Sequence, residues 1–286
     1  MKYAICNETF EGWDHQRVCR FIAGVGYTGL EIAPYTLAER ITDVSAVRRQ
    51  LLRRQADDCG IQIVGLHWLL ARTQGLELTA SDKGVRARTA TYLAELARCC
   101  RDLGGHILVF GSPGQRRIPP GESKASALEF ALDTLTQALP EIADCGVVLC
   151  LEPLSREETD FINTCEEGLE VVNRVGHPNL LLHLDVKAMA SENAPIAHLI
   201  RDHLPRTGHF HANDPNRRGP GFGSVDFVPI LRALEEGRYA GWISVEVFDY
   251  SPDPETIARE SIRYLRECEA RAHGGSDTIS ESHVAR

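Results

Sequence analysis

The apolar positions of the chain fall into short continuous runs that are separated by longer amphipathic stretches. A helical stretch closes on glycine, an apolar run follows, and a polar loop comes next, as in DDCG-IQIVGLH over 57–67 and ADCG-VVLCLEP over 143–153. Glycine suits the left-handed residue just past a helix end, and a continuous apolar run is typical of a strand buried on both faces. The pattern therefore predicts strands and helices that alternate along the chain.

Eight apolar runs are predicted as strands: Tyr3–Asn7, Gly29–Ile32, Ile61–His67, His106–Phe110, Val147–Glu152, Leu180–Asp185, Gly208–His211 and Trp242–Glu246. The clearest predicted helices are Val44–Cys59, Gly84–Leu103, Ala125–Asp144, Gly168–Val175 and Val225–Glu236. Strict alternation with short connections favours a parallel α/β sheet, and eight units favour a closed barrel over an open doubly wound sheet. No GxGxxG follows the first strand, which argues against the commonest dinucleotide-binding fold.

The predicted fold class is therefore α/β, as a single-domain (β/α)8 TIM barrel. The length of 286 residues agrees with this fold, which typically takes about 250. The barrel is predicted to span residues 1–272. The remaining residues, 273–286, are polar and lack periodicity, so they are predicted to form a flexible tail.

Charge and cysteine content narrow the class of partner. The net charge of −9 disfavours a nucleic-acid surface, which needs basic side chains to neutralise phosphates. No run approaches the length of about 18 apolar residues that a membrane span requires, and the N-terminus lacks the apolar segment of a signal peptide. Nine cysteines without a CxxC pair are typical of a reduced compartment. A cytoplasmic protein without nucleic-acid or membrane partners is expected; a homo-oligomer stays open.

Polar side chains follow four consecutive predicted strands where each strand ends. Strand five ends on Glu152, strand six on Asp185, strand seven carries His209 and His211, and strand eight ends on Glu246. Any one of them alone could be a helix cap or a packed core residue. In a barrel, however, the carboxyl ends of the strands converge on one mouth, where active sites lie. Three carboxylates there would repel one another unless a cation compensates them.

The pattern thus predicts one divalent metal ion, with the ligands Glu152, Asp185, His211 and Glu246. A set rich in oxygen favours Mn²⁺, Mg²⁺ or Co²⁺ over a structural zinc site, which prefers histidine and cysteine. Mn²⁺ is the expected ion, and Mg²⁺, Co²⁺ and Zn²⁺ stay open.

These motifs resemble those of the xylose-isomerase-like TIM barrels, in the branch of the ketose 3-epimerases, typified by tagatose 3-epimerase, and the hydroxypyruvate isomerases. The resemblance covers roughly residues 1–270 and is carried by Glu152-Pro153, Leu184-Asp185, His211 with Arg217 after it, and Val245-Glu246. It implies the same four metal ligands. It also implies that Glu152 and Glu246 act as the catalytic acid/base pair.

Further substrate contacts follow from the same resemblance. Glu158 matches a glutamate that contacts the substrate, and Arg217 matches an arginine that contacts its oxygens. Additional candidates for lining the substrate pocket are His67, Trp68, His183 and Lys187, with His209 beside them.

The chain departs from the family pattern in two places. This branch often has Asp-x-x-His after strand six, whereas here Ala188 stands where the histidine is expected and Lys187 lies beside it. The first strand ends in Cys6-Asn7-Glu8 and offers no aromatic contact for a substrate. The departures leave the identity of the substrate open.

The predicted function is a metal-dependent sugar isomerase or epimerase that removes a proton next to a carbonyl and passes through an enediolate. One alternative is a lyase or hydrolase that acts on an oxidised (3-keto) glycoside, and another is a non-catalytic barrel that binds a sugar. The DNA-repair endonucleases of the superfamily are disfavoured by the acidic charge and by the small number of histidines at the strand ends. Whether the substrate is phosphorylated also stays open. The basic pairs Arg116-Arg117 and Arg217-Arg218 are read as solvated surface, although they could supply a phosphate site.

Overall fold

The computed structural model describes residues 1–274. The tail predicted over 273–286 lies outside the described residues, except for His273 and Gly274, which end the last helix. The predicted boundary of the barrel therefore falls two residues inside a helix.

Within residues 1–274, eight parallel strands close into one barrel in chain order, with β8 pairing with β1. The strands are β1 (Lys2–Cys6), β2 (Gly29–Ile32), β3 (Gln62–Leu66), β4 (Ile107–Phe110), β5 (Val148–Leu151), β6 (Leu180–Asp185), β7 (Thr207–Ala212) and β8 (Trp242–Val245). The helices are α1 (His15–Val25), α2 (Ala46–Asp57), α3 (Lys83–Leu103), α4 (Lys124–Asp144), α5 (Cys165–Val175), α6 (Val186–Met189), α7 (Ile196–His203), α8 (Phe227–Glu236) and α9 (Pro254–Gly274). This architecture confirms the predicted (β/α)8 TIM barrel.

The local signals in the sequence explain where the helices begin and end. Gly60 and Gly146 follow α2 and α4 with φ of 70° and 68°, the left-handed conformation that glycine adopts without a steric penalty. The hydroxyl of Thr164 accepts a hydrogen bond from the backbone N–H of Glu167, which starts α5. Among the described helices, none is long and apolar enough to cross a membrane.

The barrel interior changes from apolar to polar along its axis. Side chains of alternate strand residues point inward. Near the amino ends of the strands they form a small apolar cluster that includes Ala4, Val64 and Trp242. Towards the carboxyl ends the inward-facing residues are polar, and His183 and His209 are both fully buried there. The larger apolar core packs between the barrel and the helices.

Strand register brings the predicted ligands to the same level of the barrel. Asp185 ends β6 and is paired with His211 of β7. Glu152 comes directly after β5, and Glu246 comes directly after β8, whose Val245 is paired with Ala212 of β7. All four side chains therefore reach the mouth of the barrel.

Candidate metal centre and active site

Three carboxylates meet at the mouth of the barrel. One carboxylate oxygen from each of Glu152, Asp185 and Glu246 lies within 4.8 Å of the other two. All three residues are buried, with exposures of 7%, 2% and 4%. A cluster of carboxylates so close together and so little hydrated has the spacing and the donor chemistry that suit a hard divalent cation.

His211 adjoins this cluster through one ring nitrogen. Its Nδ1 lies 3.0 Å from Oε2 of Glu246, and its Nε2 lies 3.1 Å from Oε1 of Glu31. In metal sites, a histidine ligand commonly donates its second ring N–H to a carboxylate, which fixes the orientation of the ring. Glu31 occupies that supporting position. His211 can therefore offer Nδ1 to an ion held by the carboxylates.

The interior beneath the carboxylates is a charged network that sequence reasoning missed. Glu31, in the middle of β2, is fully buried and also lies 2.8 Å from Nε2 of His209. Burial opposes ionisation, yet His209 and His211 hold the pKa of Glu31 well below its ordinary value. Burial likewise lowers the pKa of His211, but Glu31 and Glu246 outweigh it and raise the pKa well above the ordinary value. The sequence does carry a signal for this network: Glu31 is a charged residue inside the apolar run GLEI.

The carboxylates of the cluster differ in their pKa values. Burial raises the pKa of Glu152 well above its ordinary value, and the negative charges of Asp185 and Glu246 raise it further. Burial raises the pKa of Asp185 as well. For Glu246 the neighbouring His211 and His67 overcome the effect of burial and lower the pKa. The charges of the protein thus favour ionised Glu246 but do not offset burial at Glu152 and Asp185, and a bound cation would do so.

Asp185 is oriented by two hydrogen bonds. Its Oδ1 accepts one from the backbone N–H of Ala188 at 2.8 Å, so Asp185 also caps α6. Its Oδ2 accepts one from Nδ2 of the buried Asn213 at 2.5 Å. The backbone N–H of Lys187 in turn donates a hydrogen bond to Oδ1 of Asn213 at 2.8 Å, which fixes the orientation of that amide. Asp185 is therefore held in one orientation before any ligand binds.

Glu152 is supported from the side of β4 and from the loop that follows it. Gly111 lies so close that a Cβ atom there would overlap with Oε2 of Glu152. Arg116 donates hydrogen bonds to the carbonyl oxygens of Glu152 and Ile162. Arg116 is fully buried, so its interpretation as solvated surface was wrong. The guanidinium instead satisfies backbone carbonyls of the β5–α5 loop, a role that the neighbouring sequence does not reveal.

A narrow cleft of 20 Å³ lies above the carboxylates and is lined by Trp68, Glu158 and Phe248 among others. The indole Nε1 of Trp68 donates a hydrogen bond to Oε1 of Glu246 at 2.9 Å. Nζ of Lys187 lies 2.7 Å from Oε1 of Glu158 and 5.0 Å from the centre of the Phe248 ring. The cleft has room for about one water molecule. The cleft alone is therefore too small to enclose a sugar.

The remaining predicted residues lie at different distances from the cleft. His67 lines it, and its Nε2 lies 2.8 Å from Oε2 of Glu8. His183 lies below, fully buried, with its ring centre 4.1 Å from that of His211. Arg217 is exposed and does not line the cleft, although its carbonyl accepts hydrogen bonds from the backbone after β8. The structure therefore places His67, Trp68, Glu158 and Lys187 at the cleft, His183 beneath it against Asp185 and His211, and Arg217 outside it.

Comparison with known proteins identifies the family. A family model described as "Xylose isomerase-like TIM barrel" matches residues 19–268. Because this match spans most of the chain, the chain belongs to that family.

Curated relatives place the chain in a branch of that family. It is 31% identical over 193 residues to L-ribulose 3-epimerase of Mesorhizobium japonicum, a match that spans 65% of this chain and 62% of the relative. It is 28% identical over 258 residues to D-psicose 3-epimerase of Enterocloster bolteae, a match that spans 87% of this chain and 82% of that relative. It is 30% identical over 232 residues to a putative hydroxypyruvate isomerase of Danio rerio, a match that spans 74% of this chain and 79% of that relative. These names confirm the predicted branch and the isomerase class of enzymes.

Solved structures share the fold of the barrel. A structure of L-ribulose 3-epimerase has a TM-score of 0.85 at 21% identity and covers 100% of both chains. The structure of 3-keto-D-glucoside 4-epimerase from E. coli has a TM-score of 0.81 at 22% identity and covers 94% of this chain and 100% of that one. At these identities the likeness establishes the fold.

Proposed function

We propose that the protein is a divalent-metal-dependent sugar epimerase or isomerase of the ketose 3-epimerase type. The observation that carries the proposal is the buried cluster of Glu152, Asp185 and Glu246, with His211 against it. The names of the relatives, which are ketose 3-epimerases and a hydroxypyruvate isomerase, support the class of reaction.

Glu152, Asp185, His211 and Glu246 would hold the ion. The excess of carboxylate oxygens favours Mn²⁺, and Mg²⁺ or Co²⁺ would suit the same set. When bound, the cation would supply Lewis-acid stabilisation of the negative charge that develops on the substrate oxygens.

Glu152 and Glu246 would act as the acid/base pair. One removes the proton from the carbon between the carbonyl and a hydroxyl, and the other returns a proton from the opposite face, which inverts the centre through an enediolate. Before an ion binds, the protein shifts the pKa values of the two glutamates in opposite directions, upward for Glu152 and downward for Glu246. Trp68 and His211 orient the Glu246 carboxylate through its two oxygens.

The side chains around the cleft would bind the sugar. Glu158 and Lys187 are paired at 2.7 Å and together offer an acceptor and a charged donor to sugar hydroxyls. Lys187 would then supply, from the neighbouring position, the role of the histidine that related epimerases have where this chain has Ala188. Trp68 and Phe248 would supply the apolar walls.

The alternative is a lyase or hydrolase that acts on an oxidised glycoside, since it begins with the same proton removal. The epimerase and lyase hypotheses can be distinguished by incubating the protein with Mn²⁺ and candidate ketoses in D₂O. The products are followed by NMR. Deuterium at the carbon next to the carbonyl with the sugar intact supports an epimerase or isomerase. Release of the group attached to the sugar supports a lyase or hydrolase, and the absence of both reactions with every substrate contradicts the proposal.

A further inference from the structure

A second group of side chains that can bind a metal lies inside the barrel and shares no member with the three carboxylates at its mouth. Cys6 ends β1, Glu31 lies in β2 and His67 comes directly after β3, so the group spans three neighbouring strands. Cys6 is paired in register with Glu31, which places their side chains on the same side of the sheet. One ligand atom from each of the three residues lies within 4.8 Å of the other two. We call this group the inner cluster.

His67 offers a free ring nitrogen to the inner cluster. Its Nε2 lies 2.8 Å from Oε2 of Glu8, and its Nδ1 is buried without a hydrogen-bond partner among the described residues. Oε1 of Glu31 is 3.7 Å from this Nδ1, which is too long for a hydrogen bond. A carboxylate that accepts the second ring N–H of a histidine is the usual support of a metal-binding histidine. Glu8 gives that support and leaves Nδ1 as the atom that can bind an ion.

The separations between the ligand atoms agree with a tetrahedral ion. Metal–ligand bonds of about 2.0–2.3 Å at tetrahedral angles place the ligand atoms about 3.3–3.8 Å apart. The distance of 3.7 Å between Oε1 of Glu31 and Nδ1 of His67 falls in this range. Sγ of Cys6 lies 3.8 Å from Oγ of the buried Ser244, which offers an oxygen for the fourth position. Small shifts of these side chains would therefore complete the site.

The mixture of donors in the inner cluster selects the kind of ion. Zinc accepts sulfur, imidazole nitrogen and carboxylate oxygen together, whereas Mn²⁺ prefers oxygen ligands such as those at the mouth. A thiolate from Cys6 and a carboxylate from Glu31 would balance the charge of Zn²⁺, with His67 neutral. A site without net charge suits this position, because all three residues are buried. His67 also lines the cleft, which gives an ion a way in from the mouth.

We propose that the inner cluster is a structural Zn²⁺ site, held by Cys6, Glu31 and His67 beneath the carboxylates of the mouth. On binding, a metal–sulfur bond replaces the S–H bond of Cys6, and the proton passes to water. The ion would link three neighbouring strands and fix Glu31, whose other oxygen, Oε2, lies 3.2 Å from Nε2 of His211. The inference goes beyond the proposed function and does not depend on it, because the inner cluster contains none of the proposed ligands at the mouth.

The direct test uses Co²⁺ in place of zinc, because a bond between Co²⁺ and a thiolate gives a charge-transfer band in the near ultraviolet. Since the site is buried, the full chain is produced in a medium that contains Co²⁺ and is then dialysed against EDTA to remove ions from the mouth. We expect the wild-type protein to keep about one Co²⁺ per chain and to show the band. Absence of the band from the wild-type protein would overturn the proposal.

Matched variants identify the sulfur ligand. Cys6→Ala removes it, whereas Cys150→Ala makes the same change at another fully buried cysteine of the barrel. Within the described part of the chain, Cys150 belongs to none of the groups that could hold a metal ion. The band and the bound cobalt should be lost from Cys6→Ala alone. A band of equal strength in both variants would contradict the site.

X-ray absorption at the zinc edge gives a readout that needs no variant. Wild-type protein is produced with Zn²⁺ in the medium and dialysed against EDTA in the same way. The spectrum should show one sulfur at about 2.3 Å, with nitrogen and oxygen ligands at about 2.0–2.2 Å. Zinc surrounded by nitrogen and oxygen alone, or zinc that leaves completely during dialysis, would contradict the proposal.

Discussion

Trp68 donates a hydrogen bond from its indole nitrogen to Oε1 of Glu246 at 2.9 Å, across 178 positions of the chain. Trp68 adopts a left-handed backbone conformation with φ of 52°, which is uncommon for a bulky residue. The indole nitrogen reaches the carboxylate cluster from this position. The same side chain thus forms a wall of the cleft and orients one of the two proposed acid/base groups.

Replacing Trp68 with phenylalanine removes the donor and keeps an aromatic wall. A hydrogen bond to a charged group is worth about 1.5–3 kcal/mol, so kcat should fall by roughly tenfold to a hundredfold. The Mn²⁺ content, measured by elemental analysis, should stay the same because the four proposed ligands are unchanged. Wild-type kcat in this variant would show that the hydrogen bond has no part in catalysis.

Gly111→Ala should displace the Glu152 carboxylate, because the new methyl group would overlap with Oε2. We expect a loss of at least about tenfold in Mn²⁺ affinity, the scale of effect that disturbing a metal ligand's support produces. Gly114→Ala is the matched control in the same loop, since a Cβ there would meet nothing within 4 Å. Calorimetric titration of both variants with Mn²⁺ checks the prediction, which fails if the two variants bind the ion equally well.

Lys187→Met should weaken substrate binding more than metal binding. The change removes the partner of Glu158 and a donor to the sugar, so KM should rise by about tenfold or more, in keeping with a charge-assisted hydrogen bond. Lys124→Met serves as the control, because Lys124 is half exposed and pairs with Glu167 away from the cleft. Steady-state kinetics on a ketose that the wild type converts would contradict the assignment if both variants gave the wild-type KM.

Mn²⁺ should stabilise the fold through the carboxylate cluster. A ligand at a hundred times its dissociation constant raises the free energy of unfolding by about 2.7 kcal/mol, because it binds the native state alone. Thermal unfolding with EDTA and with Mn²⁺ should therefore give a clearly higher Tm with the ion. Asp185→Asn should lose this shift and the exposed Asp202→Asn should keep it. An equal shift in both variants would place the ion elsewhere.

The sequence predicts the barrel well because each strand is a continuous apolar run between recognisable turns. The bounds of β2 and β6 agree with the prediction at both ends, β4 and β8 differ from it by one residue at one end, and the other four strands differ by one residue at each end. The placement of four residues at one mouth of the barrel could be predicted for the same reason; they are Glu152, Asp185, His211 and Glu246. Once the strands are aligned in a barrel, their carboxyl ends share one mouth.

What the sequence could not predict depends on contacts between distant segments. Glu31 lies inside an apolar strand, and only the closed barrel shows that it faces His209 and His211. Arg116 resembles a surface residue because its neighbour Arg117 is one, whereas the fold buries it against the Glu152 carbonyl. Glu8 follows the first strand, and only the fold shows that its Oε2 lies 2.8 Å from Nε2 of His67.

The most direct test of the central claim follows the exchange of the proton next to the carbonyl in D₂O. Wild-type protein, Glu152→Gln and Glu246→Gln are each loaded with Mn²⁺, their metal content is measured, and a ketose that the wild type converts is followed by NMR. The acid/base account predicts exchange and inversion by the wild type and no inversion by either variant, even where the ion is still bound. Inversion at the wild-type rate by both metal-loaded variants would contradict it.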